Sequence, residues 1–167
     1  MMGVNDMETV RCQLNRLEEK DLDEVFRLFS NERVRQYLGG TIDEQAFRGK
    51  FQALLTDETS WYWVVRLKHH NDFIGLVSLD KHHDQVSTEV SYQLLPEAWG
   101  QGVATEVIQK MINYAFEELS IARLVAETQS ANLASCRLLE KVGMKLEQTV
   151  ERFGAEQKIY KIDGNEK

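Results

Sequence analysis

The chain has 167 residues, close to the usual single-domain size of roughly 100 to 200, and carries a net charge of −7 from 20 Lys and Arg against 27 Asp and Glu. That acidic balance excludes sequence-independent binding to DNA or RNA, which needs clustered cations to neutralise phosphates, and mildly favours a cationic or amine substrate. Apolar runs such as Val64-Val65 behind Trp61-Tyr62-Trp63 fall far short of the roughly 20 residues that span a bilayer. Met1 to Thr9 is polar and short, with no signal-peptide pattern, and Cys12 and Cys136 form no C-x-x-C, so a soluble protein of the reducing cytoplasm is expected.

In chain order, Val10 to Leu14 reads as a first strand. Asp21 is a candidate N-cap for a helix carrying Leu22, Val25, Phe26, Leu28 and Phe29. Val34 to Leu38 continues as a short helical piece that Gly39-Gly40 stops, and Thr41 to Asp43 opens another helix through Phe47, Phe51, Leu54 and Leu55. Trp61 to Leu67 and Phe73 to Leu79 form a hairpin around Lys68 to Asp72, and Val86 to Leu95 completes an antiparallel meander. A helix follows with apolar residues at Val103, Val107, Ile108, Met111, Ile112, Ala115, Phe116 and Leu119. Ile121 to Gln129 is then a strand parallel to Val86 to Leu95, because a helix connects the two. Asn132 to Lys141 is a short helix ended by Gly143, and Lys145 to Phe153 with Gln157 to Ile162 makes a last hairpin. One domain, 1–167, is expected, with flexible ends at 1–9 and 163–167.

The stretch Pro96-Glu97-Ala98-Trp99-Gly100-Gln101-Gly102-Val103-Ala104-Thr105-Glu106 joins a strand to the best amphipathic helix of the chain. A helix N-terminus leaves main-chain N–H groups unpaired and carries about half a positive charge, so an anion, phosphate above all, is its natural partner. Gly100 and Gly102 let backbone approach such a ligand closely. A P-loop is excluded, since no Gly-Lys is followed by Ser or Thr; Gly49-Lys50 precedes Phe51. A dinucleotide fingerprint would need a small residue at Thr105 and an acidic residue closing the next strand, which leaves a nucleotide-dependent oxidoreductase as a weak competitor.

Trp99-Gly100-Gln101-Gly102-Val103-Ala104 resembles the Q/R-x-x-G-x-G/A pyrophosphate loop of GNAT N-acetyltransferases, with Trp99 at the place of the first Gln or Arg. The longer run from Pro96 to Glu106 is similar to the RimJ/RimL branch, which acetylates the N-termini of ribosomal proteins. Asn132 to Met144 resembles the second family motif, N-x-x-S-x-x-x-x-x-K-x-G-F, with Met144 in place of the phenylalanine. The likeness covers roughly residues 10 to 162. It implies the GNAT fold, an α/β arrangement with a mixed, mostly antiparallel sheet of about six to seven strands flanked by about four to five helices. It also implies an acetyl-CoA-dependent N-acetyltransferase acting on a primary amine, on a protein N-terminus or a small molecule, by direct attack in a ternary complex and without a metal. No nucleic-acid or membrane partner is expected, and a homodimer stays open.

The resemblance places coenzyme A between the strands Val86 to Leu95 and Ile121 to Gln129. Pantetheine amides would pair with backbone near Leu94 and Leu95, and the pyrophosphate would lie on Gly100, Gln101, Gly102, Val103, Ala104 and Thr105. Asn132 would bond the pantetheine arm, or act as an ordinary N-cap. Strand alternation puts Glu89, Ser91 and Gln93 on one face and Val90, Tyr92 and Leu94 on the other. Glu89 is the candidate base, against the alternative of a solvated strand face, with Glu127 in reserve. The tyrosine that many family members carry seven positions after the asparagine is Leu139 here, so Ser135 becomes the candidate acid, or else a simple helix-start residue. Leu139 also motivates a rival reading, a non-catalytic acyl-CoA-binding module. Cys136 is turned about 100° from Ser135, which argues against a covalent cysteine. His69-His70 and His82-His83 sit at opposite ends of one predicted strand, some 30 Å apart, and are expected to be solvated turn residues that share no ion.

Overall fold

The computed structural model describes residues 5–165. Alternation of buried and half-exposed residues sets β2 (Cys12–Arg16), where Cys12 and Leu14 point into the core. Its partner β1 (Met7–Glu8) pairs Met7 with Leu14, so part of the end expected to be flexible is an edge strand. Then come α1 (Leu22–Phe29), α2 (Glu32–Arg35) and α3 (Glu44–Thr56). Asn31 caps α2 and Asp43 caps α3 through side-chain oxygens. Asp21 does not cap α1 in this way; its buried carboxylate accepts from the Glu18 N–H at 2.8 Å and from Arg66 at 3.4 Å.

The meander is β3 (Trp61–Leu67), β4 (Phe73–Lys81) and β5 (Thr88–Leu94). Val86, expected in β5, lies outside it and is exposed, because the Asp84 carboxylate draws the Val86 and Ser87 N–H groups into a turn at 2.8 Å each. After α4 (Val103–Glu117) come β6 (Arg123–Gln129), α5 (Leu133–Lys141), β7 (Lys145–Arg152) and β8 (Ala155–Asp163). The described strands form one eight-stranded sheet in the order β1-β2-β3-β4-β5-β6-β8-β7, where six to seven were expected; β1 is the addition. Each neighbouring pair is antiparallel except β5 with β6, parallel as a helical crossover requires.

A helical layer covers each face. Val103, Val107, Ile108, Met111 and Ile112 of α4 and Cys136 and Leu139 of α5 pack on Val65, Val77, Leu79, Val90 and Leu124. Val25, Leu28, Phe29, Phe47 and Phe51 of α1 and α3 pack on Val64, Phe73 and Leu76. No helix among the described residues is long and apolar enough to cross a membrane.

Candidate active site

The parallel ladder is short. Thr88 pairs with Leu124 and Glu89 with Val125, and there the recorded pairing stops, although β5 continues to Leu94 and β6 to Gln129. The strands therefore diverge into a gap at the middle of the sheet. Leu95 donates its N–H to the Ile74 carbonyl at 2.8 Å, which fixes the alternation of β5: Val90, Tyr92 and Leu94 turn their main-chain groups toward β6. The main-chain groups that face the gap are thus those of Tyr92 and Leu94, whereas the Leu95 N–H, expected to face a ligand, is taken by Ile74. The Leu94 carbonyl already accepts the Trp99 indole N–H at 2.8 Å, leaving its N–H as the outward donor.

At the open end of the gap, a single 3-10 turn (Pro96–Ala98) leads into the glycine loop. Gly100 and Gly102 have φ of 75° and 78°, the left-handed region that disfavours any side chain. Gly102 is the N-cap of α4 and supplies no side-chain acceptor, so the first-turn N–H groups of Val103, Ala104 and Thr105 have no cap. Val103 is buried in the core and offers main chain alone. The Gln101 side chain turns back to the Glu97 carbonyl at 2.9 Å. A Cβ on Gly100 would meet nothing within 4 Å, and one on Gly102 would meet only the Arg11 Nη2, at 3.5 Å. This open cradle of main-chain donors fits a diphosphate.

The closed end presents two unlike faces. On the face of α1 and α3, the register pairs Asp80 with Glu89, and Ser78 and Ser91 both bond the Asp80 carboxylate, at 3.1 and 3.4 Å. Burial, together with the charges of Asp80 and Glu127, pushes the Glu89 carboxyl up to about 8, against the opposing pull of the Glu127 N–H and Arg152. Burial raises Asp80 as well. Glu127 is otherwise engaged: its buried carboxylate meets the His82 Nε2 at 2.8 Å and the Arg152 Nε at 3.0 Å. Glu89 makes no ion pair of this kind among the described residues. His82 is not a solvated turn residue. It is buried against Glu127, whereas His83 stacks near exposed Phe153.

On the other face, the Tyr92 hydroxyl is hydrogen-bonded to the Ser135 Oγ, and burial pushes the phenol up to about 12. Ser135 also donates its N–H to the Asn132 Oδ1 at 3.2 Å, so Asn132 is the cap of α5 and keeps its amide NH2 for another partner. Leu139 and Cys136 are buried in the core. Sequence reasoning passed over Tyr92, although alternation had already put it on the face opposite Glu89. Its distance from Leu139 in sequence hid the fact that a phenol on β5 can reach the α5 serine.

Residues 11–145 match the acetyltransferase (GNAT) domain family. The uncharacterized N-acetyltransferase YoaA of Bacillus subtilis is 30% identical over 155 residues, covering 88% of this chain and 86% of the relative. Spermidine N-acetyltransferase from Vibrio cholerae, solved with CoA and spermine, superposes with a TM-score of 0.82 at 22% identity, covering 93% of this chain and 97% of the other. RimL, the ribosomal L7/L12 alpha-N-protein acetyltransferase solved with CoA, superposes with a TM-score of 0.81 at 16% identity, covering 95% and 97%.

Proposed function

The chain belongs to the GNAT acetyltransferase family and is an N-acetyltransferase, and from that premise we propose that it moves an acetyl group from acetyl-CoA to a primary amine by direct attack. The observation that carries this reading is the gap between β5 and β6, with Glu89 on one face and the Ser135–Tyr92 pair on the other. Acetyl-CoA supplies the acyl group as an activated thioester. The loop 99–105 holds the diphosphate, and Tyr92 and Leu94 offer main-chain groups to the pantetheine arm. Glu89 takes a proton from the incoming ammonium or amine, directly or through one water, so that nitrogen can form its bond to the carbonyl carbon. As the C–S bond breaks, Ser135, backed by Tyr92, delivers a proton to the sulfur and regains one from solvent, while the second proton of the reacting nitrogen leaves to water. A phenol raised to about 12 stays protonated at neutral pH and is therefore able to donate. Attack from one face and departure on the other keep acid and base from neutralising each other.

The run Pro96 to Glu106 supports a RimJ/RimL-like origin, and the buried thiols of Cys12 and Cys136 suit a reducing cytoplasm. Asp80 beside Glu89 favours an acceptor that brings positive charge beyond the reacting amine, as a polyamine does. Thiol release from acetyl-CoA, measured over N-terminal peptides, polyamines, amino acids and aminoglycosides, tests both statements. Turnover greatest for di- and polyamines is expected. CoA binding without turnover on every class would sink the catalytic assignment, and turnover confined to monocationic peptides would sink the polyamine preference.

A further inference from the structure

We propose that Arg11 is the phosphate-binding cation of the cofactor loop, supplied from outside the loop and clamped into place by Glu106. The proposal rests on the acetyl-CoA reading. Residues 99–105 contain no lysine or arginine, and the next residue, Glu106, is acidic and lies in the first turn of α4. Such a loop has donors and a helix dipole for a diphosphate but no charged side chain, and a carboxylate beside it opposes the anion.

Arg11 alters both conditions. It enters from the turn between β1 and β2, and its guanidinium is fixed at two points: Nε donates to Glu106 Oε1 at 2.9 Å and Nη1 to the Gln101 carbonyl at 2.9 Å. The Arg11 main-chain N–H donates to Glu106 Oε2 at 2.8 Å, and the Thr9 hydroxyl donates to the same oxygen. The Glu106 charge is thus taken up behind the loop, on the side of β1 and β2. Nη2 is left over. It lies 3.5 Å from where a Cβ would stand on Gly102, closer than any other atom of the described residues outside the adjoining backbone. Among the described residues it makes no hydrogen bond, and the side chain is 43% exposed, so solvent and ligand both reach it.

The Arg11–Glu106 pair is neutral as a whole. What it supplies is orientation, with the guanidinium on the loop and the carboxylate turned away from it. A planar fork anchored through Nε and Nη1 has already lost most of its rotamer freedom, so its remaining N–H groups bind phosphate oxygens at little further entropic cost. The same anchor fixes the Gln101 carbonyl, which holds Gly100 and Gly102 in the conformation that exposes their neighbours' N–H groups. The usual basic or amide residue at the head of the loop, replaced here by Trp99, finds its substitute 88 positions earlier in the chain (99 − 11).

The test is titration of the purified chain with CoA and, separately, with pantetheine, which has the thiol arm but no phosphate. Arg11→Gln keeps a neutral donor and removes the charge. It should weaken CoA about tenfold or more while leaving pantetheine affinity unchanged, and Arg11→Lys should fall between it and wild type. The dependence of CoA affinity on salt should also flatten in Arg11→Gln. Equal weakening of both ligands would make Arg11 a strut and overturn the proposal, as would undiminished CoA affinity. Should Arg11→Gln melt below the working temperature, the Arg11 side-chain N–H resonance of wild type decides the matter: it must shift with CoA and stay still with pantetheine. Wild type that fails to bind CoA would overturn the cofactor reading itself, a result distinct from each of these.

Discussion

At the open end of the β5–β6 gap the groups offered to a ligand are main-chain N–H donors of residues 99–105 with Arg11 beside them, whereas at the closed end they are the carboxyl groups of Asp80 and Glu89, with Glu127 on the next strand engaged by His82 and Arg152. The first region is assembled from a few consecutive residues, and its geometry is set by which of them lack a Cβ. The second exists only because sheet register brings together residues as far apart as His82 and Arg152. Substitutions at the open end should therefore act chiefly on cofactor binding, and substitutions at the closed end chiefly on the chemical step.

The largest effect is expected at the closed end. With acetyl-CoA and acceptor saturating, Glu89→Gln should lower kcat at neutral pH by roughly tenfold to a thousandfold. Wild-type activity should rise with pH through about 8, as Glu89 loses its proton and becomes able to accept one. The variant should lack that limb and recover only as the amine itself deprotonates. Stability should move the other way. Glu89 is raised in the folded state, so it binds an extra proton there between its ordinary value of 4.5 and about 8, and wild type loses stability as pH climbs through that window. Glu89→Gln removes this loss, and melting temperatures should favour the variant increasingly from pH 5 to 8. A variant that loses activity without gaining alkaline stability would mean that the carboxyl is less confined than its surroundings indicate.

At the open end the expected change is in binding. Gly102 has φ of 78°, and a β-branched residue there is strained and also crowds the Arg11 Nη2. Gly102→Val should raise KM for acetyl-CoA at least tenfold, about 1.4 kcal/mol, with kcat at saturation kept. A fall in kcat with KM unchanged would erase the division between the two ends.

The other face of the closed end holds the Ser135–Tyr92 pair. Ser135→Ala should lower kcat about tenfold at every pH, because one neutral hydrogen bond to a departing thiolate is worth about 1 to 2 kcal/mol. Tyr92→Phe should cost a similar amount if the phenol acts through Ser135, and the double variant should lose little more than either single one. Additive losses would show two independent donors.

How legible each region was in the sequence follows from the same difference in construction. Pro96, the two glycines and the apolar spacing of α4 are local signals, so the loop, the end of the strand before it and the start of the helix after it stand where expected. The parallel β5–β6 pair followed from a handedness and connection rule rather than from any single residue. What stayed hidden depended on distant partners. His82 looked like half of an exposed histidine pair because nothing near it in sequence announces Glu127, 45 residues on. Tyr92 meets Ser135 across 43 residues, and Arg11 meets Gln101 across 90. Val86 has the side chain of a strand former, yet the Asp84 carboxylate holds its N–H in a turn.

The smallest effect, at Asn132, separates the two kinds of role that a single side chain can hold. Its Oδ1 accepts the Ser135 N–H and so caps α5, while its amide NH2 is the group that would reach the pantetheine arm. Asn132→Ala loses both functions and should cost about 1 kcal/mol of stability, the usual value of an N-cap. Asn132→Asp keeps the acceptor and loses the donor. It should hold its melting temperature close to wild type, since a carboxylate at a helix N-terminus is favourable. Its KM for acetyl-CoA should nevertheless rise by about fivefold, the worth of one hydrogen bond of about 1 kcal/mol. If Asp matches wild type in both measurements, Asn132 is a cap alone, and the closed end of the gap reaches its ligand only through Tyr92, Leu94 and Ser135.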